Sequence, residues 1–170
     1  MKKTLFIILI SVVMPVLTWA QMPSDALFQK YNNKEGISIT ALAGAFLKPY
    51  ADNIIASLST SEKEIAEKCI KSITSVVVAR TSGQDTQVKK DLLNDMVNAL
   101  KKAEYQELIA FNQNNISIKV KTFKEGDTYK EVLTYVNVNN NNDVVLVSVQ
   151  GLFSEAMINE VMAFAQQNMF

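Results

Sequence analysis

Three runs near the C-terminus decide the fold: Ile116-Ser117-Ile118-Lys119-Val120-Lys121, Val132-Leu133-Thr134-Tyr135-Val136-Asn137-Val138 and Val144-Val145-Leu146-Val147-Ser148-Val149-Gln150-Gly151. The first alternates apolar and polar side chains, and all three are rich in β-branched residues, the pattern of strands in a pleated sheet. Glu125-Gly126-Asp127 breaks the chain between the first two, and Asn139-Asn140-Asn141-Asn142 between the last two. Gly and Asn are residues that accept turn conformations. A three-residue loop at 125–127 sets Val120 opposite Val132, Ile118 opposite Thr134, Ile116 opposite Val136 and Lys121 opposite Glu131. Closing the second hairpin on the asparagines sets Val136 opposite Val145 and Val132 opposite Val149. Both closures send the same residues to one face, so the register is self-consistent. The reading is an antiparallel β-meander whose valine-rich face points inward.

The other face of that meander carries Phe123, Tyr129, Leu133, Tyr135, Val144 and Leu146 beside Lys119, Lys121 and Ser148. A solvated outer face is normally more polar than this. Left bare, such a patch marks a binding surface. Covered by a first helix bearing Leu27 and Phe28, it would be core. The expected binding residues are therefore Phe123, Tyr129, Leu133, Tyr135, Leu146, Lys119 and Lys121.

Upstream, Val88, Leu92, Leu93, Met96, Val97 and Leu100 recur at spacings of three and four, with charged residues between them, and predict an amphipathic helix. Ser24 reads as the N-cap of a short helix with Leu27, Phe28 and Tyr31, and Ser61 to Glu64 as a capping box. Ile37 and Ile39 suggest a short strand, and Ile73 to Ala79 another. Leu42 to Leu58 reads as a buried helix interrupted at Pro49. Ser154-Glu155 starts a last helix with Met157, Ile158, Val161 and Met162 inward. The fold class is α+β: an antiparallel sheet with a C-terminal β-meander and helices packed mainly on one face.

The 170-residue chain opens with Lys2-Lys3, an apolar run from Thr4 to Leu17, and Thr18-Trp19-Ala20 before Gln21. A positive start, a short apolar stretch and small residues at −3 and −1 form a secretory leader. Residues 1–20 are the expected signal peptide, cut between Ala20 and Gln21, and 21–170 a single α+β domain. The apolar run is short for a membrane span. With no Cys at the cut, a soluble exported protein is expected, periplasmic or otherwise outside the cytoplasm. It would be no lipoprotein and would have no transmembrane segment after cleavage.

Loss of Lys2 and Lys3 takes the 17 Lys+Arg to 15 against 17 Asp+Glu, a formal charge of −2. That is no footprint for nucleic acid. There is no histidine, which removes the commonest general base and metal ligand, and the one cysteine, Cys69, forms no internal disulfide. Cys69 lies on an apolar stripe with Ile65 and reads as a packed thiol. Asp91 and Asp95, one helical turn apart, read as solvated. Asn139 to Asp143 lacks the spaced acids of a calcium loop and reads as a turn. Asn115-Ile116-Ser117 is a formal sequon without expected use. Ser72 and Ser75 near Lys71 lie in a strand-like run and form no convincing dyad.

Phe28-x-x-Tyr31, Glu35-Gly36 before a strand, and Val144 to Gly151 before a helix together resemble a Bacteroidetes-type exported family, the "domain of unknown function" family 4252. The resemblance spans roughly residues 25–165. It implies export and a compact α+β domain, and it brings no catalytic residue. The expected function is a non-enzymatic protein-interaction or binding module of the cell envelope, with no cofactor and no metal. Its expected partners are a protein or an apolar small molecule. The alternatives are a carrier or chaperone for an apolar ligand and a His-free hydrolase.

Overall fold

The computed structural model describes residues 22–81, 86–113, 116–138 and 143–169. In chain order these form α1 (Asp25–Tyr31), β1 (Ile37–Ala43), a 3-10 turn (Gly44–Phe46), α2 (Lys48–Ala56), α3 (Thr60–Ser72) and β2 (Ile73–Thr81). Then follow α4 (Thr86–Lys102), β3 (Gln106–Gln113), β4 (Ile116–Glu125), β5 (Thr128–Val138), β6 (Asp143–Phe153) and α5 (Glu155–Met169). The strands make one six-stranded antiparallel sheet in the order β1-β2-β6-β5-β4-β3. The fold is α+β, with the meander as its larger part.

The second hairpin has the expected register, with Val136 opposite Val145 and Val132 opposite Val149. The first is shifted by two residues: Ile118 opposes Val136, Val120 opposes Thr134, and Lys121 opposes Leu133. Glu125 pairs directly with Thr128, so Gly126-Asp127 is a two-residue turn, and a bulge at Phe123/Lys124 absorbs the difference. Gly126 adopts φ 59°, the left-handed conformation that glycine enters without a Cβ penalty. A two-residue shift keeps side chains on their faces except beyond the bulge, where Tyr129 leaves the Leu133–Tyr135 face and packs with Val132 and Val149.

What changes is which face is inside. β2 and β3 lie four strand positions apart, roughly 19 Å at sheet spacing. The 17-residue α4 that joins them is about 25 Å long and crosses that distance over the sheet. Its stripe of Leu92, Met96 and Leu100 packs with Leu27, Phe28 and Tyr31 of α1 onto Leu133, Tyr135, Val144, Leu146 and Ala79. The large side chains of the expected binding face thus meet the two helices that need them. The valine-rich face is only half-buried along much of β5 and β6. At one end its Val132 and Val149 pack with Met157, Ile158 and Met162 of α5, next to Tyr129 and Phe153.

Three local readings are corrected. Ser24 occupies the N-cap position of α1, but its hydroxyl makes no capping bond and turns into the core. The capping box of α3 uses Ser59, whose N–H donates to Glu62 at 2.6 Å, one Ser-x-x-Glu frame before Ser61–Glu64. Residues 42–58 are no single buried helix: β1 runs to Ala43, the chain turns at Gly44, and Pro49 sits in the first turn of α2, where its missing N–H costs nothing. Phe46 and Tyr50 are consequently 65% and 70% exposed.

Candidate functional site

Of the two readings of the aromatic face, the covered one holds: the first helix, with Leu27 and Phe28, packs over it together with α4 and makes it core. Leu133, Tyr135 and Leu146 are buried beneath α1 and α4, and Tyr129 is buried beside Phe153 and Ile158. Phe123 is half-buried, its ring 5.5 Å from that of Tyr105. Lys119 is exposed, whereas Lys121 pairs with Glu107 at 3.5 Å. These seven residues share strands but form no open surface. Ala20 and Gln21 lie outside the described residues.

Covering that face creates a polar centre missed in the sequence. Glu131 is fully buried, and its carboxylate accepts hydrogen bonds from the hydroxyls of Ser24, Ser148 and Tyr105. Gln150, the strand partner of Glu131, donates to Asp25 at 2.7 Å and accepts from Ser75 at 2.9 Å. Burial pushes the Glu131 carboxyl above its usual range, and the three hydroxyl donors pull in the opposite direction. Burial and the adjacent Glu131 charge raise the Tyr105 phenol. A carboxylate enclosed and fully hydrogen-bonded in this way fastens the start of α1 to the sheet. It has no access for a substrate. The signal was present: the correct register of the second hairpin sets Glu131 beside Gln150 and next to Ser148, three polar groups on one apolar stripe.

The remaining candidates are engaged elsewhere. Cys69 is half-buried; burial raises its thiol, with nearby Glu160 adding to the shift, the opposite of an activated nucleophile. Asp95 is a tether rather than a solvated charge: Lys30 and Tyr31 of α1 reach it at 2.6 and 2.5 Å. Asp91 accepts from Gln87 at 2.8 Å. The Ser72 hydroxyl donates to the Lys68 carbonyl. Asn115 and residues 139–142 lie outside the described residues, and Asp143 beside them pairs with buried Lys89 at 3.3 Å.

An open cleft of about 600 Å³ lies between the 3-10 turn, α2, α3 and the start of β2. Its apolar lining is Ala45, Ile55, Ala56, Ile70 and Ile73; its polar lining is Lys48, Asp52, Lys63, Glu67 and Lys71. Gly44 fixes its back wall. A Cβ there would stand 2.1 Å from the Ile73 carbonyl oxygen, so only glycine lets the turn press against the α3–β2 junction. Gly151 presses on the same junction from β6, with a would-be Cβ 2.3 Å from the Ser72 oxygen. The cleft escaped the sequence reading because it exists only where Leu42–Leu58 is broken into strand, turn and helix. A second groove of about 280 Å³ between α1 and α4 is lined by the Lys30–Tyr31–Asp95 tether.

Among the described residues no three His, Cys, Asp or Glu side chains come together as metal ligands, and no helix is long and apolar enough to cross a membrane. The fold defines an α+β domain on one antiparallel sheet, with an open helical cleft beside it. The chain belongs to the family described as Domain of unknown function (DUF4252), whose model matches residues 31–161. No curated protein and no solved structure matches it.

Proposed function

We propose that this chain is an exported, non-catalytic binding domain of the cell envelope, and that the α2–α3 cleft is where it binds. The observation carrying this reading is the cleft itself: about 600 Å³, with isoleucines and alanines between charged walls. That volume lies within the roughly 300–1,000 Å³ of small-ligand pockets, which combine apolar walls with a few polar groups. Export is supported by the Lys2-Lys3 start, the apolar run and Thr18-Trp19-Ala20. Satisfaction of Glu131 by three hydroxyls, and the raised thiol of Cys69, speak against catalysis.

The neutral apolar dye Nile red tests the site without reference to charge. Ala56 is exposed at the end of α2 and lines the cleft, so Ala56→Trp fills it without entering the core. The mature chain is expected to bind the dye and Ala56→Trp to bind it about tenfold more weakly, ~1.4 kcal/mol. Equal binding by both proteins removes the cleft as the site.

A second reading, a protein-docking face, has the exposed Phe46 and Tyr50 in its favour. They lie four residues apart, at the end of the 3-10 turn and in the first turn of α2. Exposed aromatics are frequent anchors in protein interfaces. Phe46→Ser with Tyr50→Ser would abolish such docking and leave dye binding intact.

A further inference from the structure

Resting on the reading of the cleft as a binding site, we propose that its ligand is a small amphipathic anion: an apolar chain along the cleft, with an anionic head held by Lys63. The charges of the lining carry the inference. Lys48 is closed by Asp52, both of whose carboxylate oxygens lie 2.9 Å from its ammonium. That contact, with Glu67 across the cleft adding to it, holds the Lys48 ammonium above its usual range. Lys71 is held more loosely, 3.8 Å from Glu67. Lys63 has no ion pair among the described residues, and it is half-buried rather than freely solvated. Both carboxylates of the lining are thus committed, while one ammonium is not.

Each alternative head group fits less well. A cationic head would face three ammonium groups and find both carboxylates engaged. A neutral apolar ligand would cover part of Lys63 and supply nothing to compensate the lost water. An anionic head gives Lys63 its missing partner in a partly desolvated setting, where a charged hydrogen bond is stronger than in water. The apolar part follows from Ile55, Ile70 and Ile73, which offer aliphatic surface and no hydrogen-bonding side chain. Its direction follows from Gly44: the turn already touches the Ile73 backbone, so a chain lies along the cleft and cannot pass beneath it into the core. Free fatty-acid-type carboxylates and membrane lipids share this chemistry, and the test separates them.

The experiment is amide NMR of the folded mature chain, titrated below micelle formation with dodecanoate and, separately, with dodecyltrimethylammonium. Dodecanoate is expected to shift amides in residues 44–56 and 63–73 and to bind more tightly than the cation. Octanoate should bind at least about tenfold more weakly than dodecanoate, through the loss of four buried methylenes. Lys63→Gln should weaken dodecanoate by about two- to fivefold, the size of a surface-type ion pair. Glutamine is a good helix former, so this variant keeps α3. Cation and anion bound equally well in the cleft would overturn the anionic head while leaving the cleft as the binding site. Shifts from neither probe, with Nile red insensitive to Ala56→Trp, would overturn both readings. Sedimentation with phosphatidylglycerol vesicles that needs Phe46 and Tyr50, without binding of free dodecanoate, would overturn the single-molecule ligand in favour of a membrane surface.

Discussion

Glu131→Ala is expected to cost about 3–5 kcal/mol of folding free energy, the scale for removing one member of a buried, hydrogen-bonded charged group. The substitution leaves the hydroxyls of Ser24, Ser148 and Tyr105 facing a void inside the sheet–helix interface. Each loses its acceptor without regaining water, and the vacated volume adds a cavity term. Net stabilities of domains are about 5–15 kcal/mol, so this variant should stand close to unfolding. Urea denaturation measures the loss; a value below about 1 kcal/mol would contradict the role given to Glu131.

Glu131→Gln separates shape from charge and has a pH signature of definite sign. Burial raises the Glu131 carboxyl in the folded chain above its ordinary 4.5. Between that value and the raised one, the folded state binds more protons than the unfolded state. The stability Glu131 contributes is therefore complete below its unfolded pKa and declines as pH rises through the folded value. Wild type should lose ground to Glu131→Gln as pH rises from about 4.5, because the amide carries no charge to bury. The other shifted carboxylates, Asp95, Glu62 and Glu64, lie below their usual range and act in the opposite sense in both proteins, so the difference isolates Glu131. A difference between the two proteins that does not change with pH would contradict a strained buried carboxyl.

Gly44→Ala is the second large effect, about 3 kcal/mol, because the added methyl meets backbone rather than a side chain able to rotate away. The contact would be 2.1 Å to the Ile73 oxygen, and Gly151 holds the same junction from the other side. The junction cannot retreat, so the 3-10 turn and α2 must move. In a domain of about 150 residues this corresponds to a fall in Tm of roughly 6–12 °C. The cleft should change with it, and Nile red affinity should drop in molecules that remain folded. A variant with unchanged Tm would show that the turn can shift at little cost.

The two findings explain what could and could not be seen in the sequence. Strand alternation in Ile116–Val149 was legible because period two is local, and it survived a misplaced hairpin turn because a two-residue slip preserves faces. Inside and outside were not legible, because valine favours a pleated surface on either face. The choice was made by α4, whose path from β2 to distant β3 depends on strand order. Once Leu133, Tyr135 and Leu146 are covered, Glu131 becomes a buried hub, and the face expected to bind becomes core. The cleft was hidden for a different reason: Leu42–Leu58 is apolar enough to pass as one helix, and only the close approach of Gly44 to Ile73 breaks it.

Native mass spectrometry of the protein taken from the envelope of its own host decides between an exported ligand-binding chain and its alternatives. The expected result is a mass beginning at Gln21 with a small amphipathic molecule held noncovalently, and no such molecule on Ala56→Trp. A chain still carrying residues 1–20 would contradict export. A bound molecule retained in full by Ala56→Trp, or a mature chain with nothing bound in either protein, would contradict the cleft.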